Sequence, residues 1–381
     1  MMNLRTNSYK KESPATNSKA KKQPMKRKYF RNIIFSKTPI TGHFRFEDEF
    51  QIYPCDYENA PKSKHANDIP LIIEFWIDEN ENPEVPEDLQ SIKSFISPTT
   101  NQTNKLSRLT RLLSALTNHR IHNLSETELK WGTPLPDDLE KDKEEINNTS
   151  SSLIMGIYYY PTIGNDLKID GFSEQRHPLI NIIPHKLYYQ YDPIDSKDKE
   201  IVLPNTIYKA LLKYFSLDTK SRKIVDTICH LICNGIDIKS KMRSMSFLSF
   251  VSSIETLVNF EYKDKKEGVE FECHDCQTLK SSPINCHKCG RPIWGVKAKF
   301  KTFLKTYVAN SDSALAKFNK IYNLRSNIVH NGMLLLGDEQ IDWAKSDKAD
   351  SQYMTHLETM QLARLALVNW LIMGPDKKIV E

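Results

Sequence analysis

Four cysteines carry the most specific chemistry in this sequence. The stretch CHDCQTLKSSPINCHKCGRP separates Cys273 from Cys276 by two residues and, nine residues later, Cys286 from Cys289 by two more. Two CxxC pairs at this spacing can close a tetrahedral, four-thiolate zinc site. Each pair bends the chain so that both sulfurs face one ion, and Gly290 permits the tight turn after the second pair. Such a site keeps no open position for water, so the expected Zn2+ is structural and staples a small insert, residues 263–294. His274 and His287 lie inside the pairs and read as bystanders. A contact between the insert and nucleic acid is an open alternative to a purely structural role.

A second group of chemistry-bearing residues lies on a helix. From Ser311 the chain reads SDSALAKFNKIYNLRSNIVHNG. Leu315, Phe318, Ile321 with Tyr322, and Ile328 with Val329 recur at helical spacing and define one buried face. Arg325 falls on the next rung after Ile321 and Tyr322, where an apolar residue is expected. Asp312 and the serines beside it are N-cap candidates, and Asn331-Gly332 is a stop signal. His330 then lies in the last turn, where the helix dipole favours positive charge. Arg325 and His330 stand about 7.5 Å apart along the axis and about 140° apart around it. One helix cannot easily aim both at one atom. Two copies of the helix, meeting in a dimer, could.

An arginine on an apolar ladder calls for a counter-charge. The helix expected over SMSFLSFVSSIETLVNFEY buries Phe247, Phe250, Val251, Ile254, Leu257 and Val258, with Glu255 on the edge of that face. A carboxylate there needs a partner. Arg325 is the most economical one; the alternative is that Glu255 reaches out to solvent. The helix expected over Val296–Val308 buries Val296, Phe300, Phe303 and Tyr307 and lines up Lys297, Lys301 and Lys305 at four-residue steps. Such a row is ordinarily a solvated face, and the alternative is a stripe that follows nucleic-acid phosphates. Cys229 and Cys233 read as buried thiols packing as small apolar groups. His119 and His122 have no carboxylate or cysteine placed to complete a metal site and read as surface histidines. Cys55 has no partner signal.

The elements that must position these groups fall into two halves. With 381 residues, 39% apolar and 27% charged, the chain is expected to be globular with two or three domains. Residues 1–31 hold ten bases against one acid, leaving 43 bases against 47 acids in the remainder. That stretch reads as a disordered basic tail, either solubilising or holding nucleic acid non-specifically. Residues 32–200 read as a mixed α/β, β-rich domain, with strands expected in Ile72–Asp78, Leu153–Pro161 and Lys186–Asp192 and an amphipathic helix over Leu106–Leu124. Residues 201–381 switch to helical periodicity. Helices are expected from Pro204 to Phe215, from Asp218 or Thr219 to a stop at Asn234-Gly235, through Tyr262, and, beyond the insert, over Val296–Val308, the Arg/His helix and Tyr353–Met373. No apolar run reaches the roughly 18 residues of a membrane span. No signal peptide is visible, so the expected location is cytoplasmic and the cysteines reduced or metal-bound.

The pattern Arg325-Ser326-Asn327-Ile328-Val329-His330, Arg-x4-His closing a helix, resembles that of the HEPN superfamily. Its setting, YNLRSNIVHNG preceded by a helix of the type FLSFVSSIETL, is most similar to the Apea-like branch. The resemblance covers residues ~205–373 and not the N-terminal half; the zinc insert is not part of the core family pattern. It implies a multidomain chain whose second half is an all-α HEPN-type bundle. Such bundles dimerise so that two Arg/His motifs face one another in a composite cleft. The implied activity is a metal-independent endoribonuclease. His330 would be the general acid or base, and Arg325 would hold the scissile phosphate. Asn327 and Asn331 would hold phosphate or orient His330, and Glu255 would orient Arg325.

The residue types suit that chemistry. RNA supplies its own nucleophile, the 2′-OH. Histidine titrates near neutrality and can move protons; arginine stays charged and can grip two phosphate oxygens at once. The products would be a 2′,3′-cyclic phosphate and a 5′-OH. The resemblance also implies a setting of anti-phage defence, abortive infection or a toxin system. The N-terminal domain is then, by elimination, the sensor or restraint that meets a regulatory partner or phage trigger. Two readings compete: a non-catalytic HEPN-like module that binds nucleotide or a partner protein, and a zinc-ribbon nucleic-acid-binding protein whose helical half is a dimerisation scaffold.

Overall fold

The computed structural model describes residues 26–56, 69–79, 93–123, 130–131, 157–158, 167–190, 198–262, 271–272, 276–280, 295–338 and 346–374. Strands β1 (Arg27–Ser36), β2 (Phe44–Phe46), β3 (Phe50–Pro54), β4 (Ile69–Asp78) and β5 (Ile121–His122) form an antiparallel sheet in the order β2-β3-β4-β1-β5. The expected strand IIEFWID lies in β4. Its period of two places Leu71, Ile73, Phe75 and Ile77 in the main core. Ile72, Glu74 and Trp76, on the opposite face, are buried as well. β1 starts at Arg27, inside the stretch read as tail, because Arg31 pairs in register with Glu74 of β4. Residues 1–25 lie outside the described set.

Helix α1 (Lys93–Leu116) lays Leu109, Leu112, Leu113 and Leu116 into the same core. The expected helix ran on to Leu124. Instead the chain turns, and Ile121–His122 pairs with the edge of β1. That turn buries His119 and His122, which are 8% and 7% exposed, so they are not surface histidines. Strands β6 (Lys130–Trp131) and β7 (Ile157–Tyr158) pair in parallel, β7 falling inside the expected Leu153–Pro161 strand. The strand expected over Lys186–Asp192 is replaced by a one-turn helix, α2 (His185–Tyr188). A strand would send Tyr188 and Tyr189 to opposite faces. Here both bury against the end of α1, the Tyr188 hydroxyl accepting from the Asn118 N–H at 2.7 Å and the Tyr189 hydroxyl donating to the Leu116 carbonyl at 2.5 Å. Strands β8 (Ile182–Ile183) and β9 (Leu203–Pro204) pair in parallel just before the bundle.

The bundle comprises α3 (Ile207–Ser216), α4 (Thr219–Ile238), α5 (Arg243–Tyr262), α6 (Val296–Tyr307), α7 (Asp312–Asn331) and α8 (Ser346–Met373). Asp218 caps α4, accepting from the N–H groups of Lys220 and Ser221. The expected stop at Asn234-Gly235 does not end α4. Gly235 is instead a packing residue: a Cβ there would lie 2.5 Å from Cε1 of Phe250 on α5. The Ser246 hydroxyl donates to the Gly235 carbonyl at 2.6 Å, fixing the same close approach. The first half of the chain thus reads as β-rich and the second as helical, and they share one core. Phe46 and Phe50 of the sheet lie 5.4 and 6.5 Å, centroid to centroid, from Phe215 of α3. Among the described residues no helix is long and apolar enough to cross a membrane.

Candidate functional site

The ends of α7 follow its sequence signals. Ser311 is the N-cap, its hydroxyl accepting from the Ala314 N–H at 3.2 Å. At the other end Gly332, with φ of 64°, takes the left-handed conformation that few other residues tolerate, and its N–H donates to the Asn327 carbonyl. Phe318, Ile321 and Ile328 are buried, while Leu315 and Tyr322 are half-buried. Val329, expected in the same face, is 47% exposed, because Ile328 takes the core position about 100° away. Val296, also expected to be buried, is 52% exposed in the first turn of α6.

Arg325 and Glu255 come together. Nε lies 3.1 Å from Oε1, and Nη2 donates to Oε2 at 3.3 Å. Oε1 takes the charge of Nε without a well-aligned hydrogen bond. The side chains are 23% and 15% exposed, so the pair sits at a lip, and the remaining guanidinium N–H groups have no partner among the described residues. Tyr322, a turn earlier, sets its ring 5.4 Å from that of Phe300 on α6, tilted by 55°. Burial and then the charge of Glu255 push its phenol upward.

His330 is exposed and makes no hydrogen bond or ion pair among the described residues. Asn331 Nδ2 donates to Asn327 Oδ1 at 3.2 Å. Asn323, Asn327 and His330 fall on one face by their spacing of four and three. The lysine row reaches this face at one end, where Lys297 Nζ donates to Asn323 Oδ1 at 3.0 Å. Lys297 and Lys305 are exposed; Lys301 is half-buried, and burial followed by the charge of Lys297 holds it below the ordinary lysine range. Asn323 was not singled out in the sequence, although asparagine recurs at 323, 327 and 331 and could have drawn attention to it.

The loop after α7 fastens to α5. The Leu335 N–H donates to the Ser244 hydroxyl at 2.8 Å. Asp338 caps α5, accepting from the N–H groups of Arg243 and Ser244 at 2.6 and 2.7 Å. Burial works against its charge, but the bonds from Ser244 and Arg243 hold the carboxyl below its ordinary range. The helix carrying His330 is thus tied to the helix carrying Glu255 at two points.

Of the expected zinc ligands, Cys273, Cys286 and Cys289 lie outside the described residues. Strands β10 (Phe271–Glu272) and β11 (Leu279–Lys280) pair antiparallel, with Glu272 opposite Leu279. Cys276 lies in the described segment 276–278 that leads into β11. Gln277 has φ of 56°, and Cys276 Sγ lies 3.3 Å from Thr278 Oγ1. No group of three or more metal-ligating side chains forms among the described residues. Cys229 and Cys233 are each 1% exposed, and burial pushes both thiols up, as packing residues would require.

A further polar cluster lies in the sheet. The Glu74 side chain is wholly buried and accepts from Arg31 Nε at 2.7 Å, Gln51 Nε2 at 2.7 Å, Tyr53 Oη at 2.6 Å, and the Ser173 N–H and hydroxyl at 2.8 and 2.6 Å. Its sequence signal was an acid inside the apolar run IIEFWID.

No family model, curated protein or solved structure matches this chain.

Proposed function

We propose that this chain is a metal-independent endoribonuclease of HEPN type. One observation carries the reading: a guanidinium held edge-on by a carboxylate, with N–H donors to spare, on the same short helical segment as an exposed histidine with no other partner. Glu255 fixes the direction of Arg325, whose remaining donors can grip a phosphate oxygen and the charge that develops on it. His330 moves protons. One copy takes the proton of the 2′-OH as that oxygen attacks phosphorus, and a second copy gives a proton to the departing 5′-oxygen. Asn327 and Asn331, bonded to each other, would hold phosphate or orient His330.

Two histidines require two copies. Val329, Met333 and Leu334 lie close to His330 in the chain and are 47%, 37% and 44% exposed. The loop bonds at Leu335 and Leu336 run to Ser244 of α5 and Gln352 of α8, whose chain neighbours Met245 and Tyr353 are 50% and 45% exposed. An exposed apolar surface beside a polar site is the usual mark of an interface. A homodimer through this face would bring two Arg/His motifs together. Zn2+, held by Cys273, Cys276, Cys286 and Cys289, would stabilise the insert and take no part in the reaction. Lys297, with Lys301 and Lys305, would follow the RNA backbone, and the sheet domain would sense the trigger in an anti-phage or toxin setting.

The test is cleavage of total cellular RNA in EDTA by the parent and by His330→Ala. The expected result is fragments with 2′,3′-cyclic phosphate and 5′-OH ends from the parent alone. RNA bound by both proteins and cut by neither would favour the binding-module reading. Equal cleavage by both would remove His330 from the chemistry.

A further inference from the structure

A cavity of about 410 Å³ opens where the sheet domain meets the bundle. Helix α1 lines it with Asn104, Lys105, Arg108 and Arg111, and α4 contributes Asp226. Positions 104, 108 and 111 share one face of α1 by their spacing of four and three. Lys105 already has partners: its Nζ lies 3.4 Å from Glu49 and 4.3 Å above the Trp76 ring. Arg108 and Arg111 differ. Both are half-buried, and neither guanidinium makes a hydrogen bond or ion pair among the described residues.

Asp226 does not account for them. It is the only acid among the described lining residues, and it lies within electrostatic reach of Arg108, Arg222 and Arg111. Yet its carboxylate accepts one hydrogen bond, from the Tyr214 hydroxyl at 2.5 Å. Burial raises its carboxyl above the ordinary range, which weakens it further as a counter-charge. Arg222 is turned away to the carbonyls of Phe215 and Leu217. Two half-buried guanidiniums therefore face one cavity with their donors unused. Half-burying two like charges three residues apart on a helix is unfavourable, and an anion between them relieves both costs.

We propose that this cavity binds a small polyphosphate of the nucleoside di- or triphosphate class, with Arg108 and Arg111 clamping the phosphates. The planar fork of arginine matches two phosphate oxygens, which one ammonium cannot do. The volume falls within the roughly 300–1,000 Å³ of small-molecule sites, and a strand, β4, and two helices, α1 and α4, wall the space, which suits one nucleotide and not a polymer. The ligand would bridge the two halves of the chain, since α1 belongs to the first and α4 to the second. This proposal does not rest on the nuclease reading, and its readout is binding alone.

The experiment is calorimetric titration of the full chain with ATP, pyrophosphate and orthophosphate. Saturable binding of ATP and pyrophosphate, tighter than orthophosphate, is expected. The Arg108→Ala/Arg111→Ala double variant should lose at least tenfold in affinity, Arg111→Lys should lose less, and Asp226→Asn should bind as tightly as the parent or tighter. Should the double variant fail to melt cooperatively, Arg111→Lys and Arg108→Gln carry the test. ATP binding more tightly than pyrophosphate would assign the nucleoside; equal binding would overturn that part. No saturable binding by any of the three, or affinity unchanged in the arginine variants, would overturn the proposal.

Discussion

Arg325 and Glu255 face each other edge to edge across two helices, with Nε 3.1 Å from Oε1 and Nη2 3.3 Å from Oε2. The ladder of α7 demanded an apolar residue at 325; the carboxylate at the margin of the α5 face supplies what lets an arginine stand there. Removing Glu255 leaves a mostly covered guanidinium without its counter-charge. Glu255→Ala should therefore lower stability by about 1–3 kcal/mol. A double-mutant cycle with Arg325→Ala should return a coupling energy of about 1–2 kcal/mol. Urea denaturation of the four proteins measures both, and a coupling near zero would mean the contact does not hold the helices in register.

His330 offers the opposite case. It is exposed and bonds to nothing among the described residues, so His330→Ala should leave the melting temperature within about 2 °C of the parent. RNA cleavage should fall by about 10²-fold or more. A variant that melts much earlier would show that the imidazole has a structural task instead.

The apolar rim around His330 should set the oligomeric state. Leu334→Asp, at a residue 44% exposed, places a charge in the proposed seam while leaving the bundle core untouched. Light scattering should show the mass of the parent halved, and cleavage should fall with it. A monomeric parent would remove the composite-cleft mechanism.

Zinc should be present at one ion per chain by elemental analysis, and Cys276→Ser should lower that content. Cleavage should survive brief chelation, since a four-thiolate site has no position for a reacting water. Metal content unchanged in Cys276→Ser would place the ion elsewhere.

Glu74 predicts an acid limb in the stability profile. Burial opposes its charge, but the bonds from Ser173, Tyr53 and Arg31 outweigh burial and hold the folded carboxyl below its ordinary value. A depressed folded value means that stability is full above the unfolded value of about 4.3 and is lost as pH falls toward the folded one. Glu74→Gln should flatten that limb, and Glu74→Ala, which strands several buried donors, should cost about 3–5 kcal/mol at neutral pH. Denaturation midpoints between pH 3 and pH 7 would show it; parallel curves for parent and Glu74→Gln would contradict the assignment.

Much of the bundle was legible because its helices carry local signals. The Asp218 cap, the Ser311 cap and the Gly332 stop each act within five residues of themselves. The pairing of Arg325 with Glu255 was legible for a different reason: two polar groups broke two apolar ladders at once. Long-range effects hid the rest. Gly235 reads as a stop until Phe250 is placed against it. His119 and His122 read as surface residues until β1 offers an edge to Ile121–His122. Tyr188 and Tyr189 read as strand until the end of α1 asks for both on one side. The cationic cavity was the least visible, since nothing in the spacing of Arg108 and Arg111 announces that Asp226, more than a hundred residues away, shares their wall.

The packing of Phe46 and Phe50 against Phe215 bears on how the protein can be taken apart. A cut at residue 200 looks natural from composition, yet it would split a single core and leave large aromatic faces bare on both fragments. Neither piece should survive expression alone, and a chimera that exchanges the sheet half would have to carry the matching surface of α3 with it.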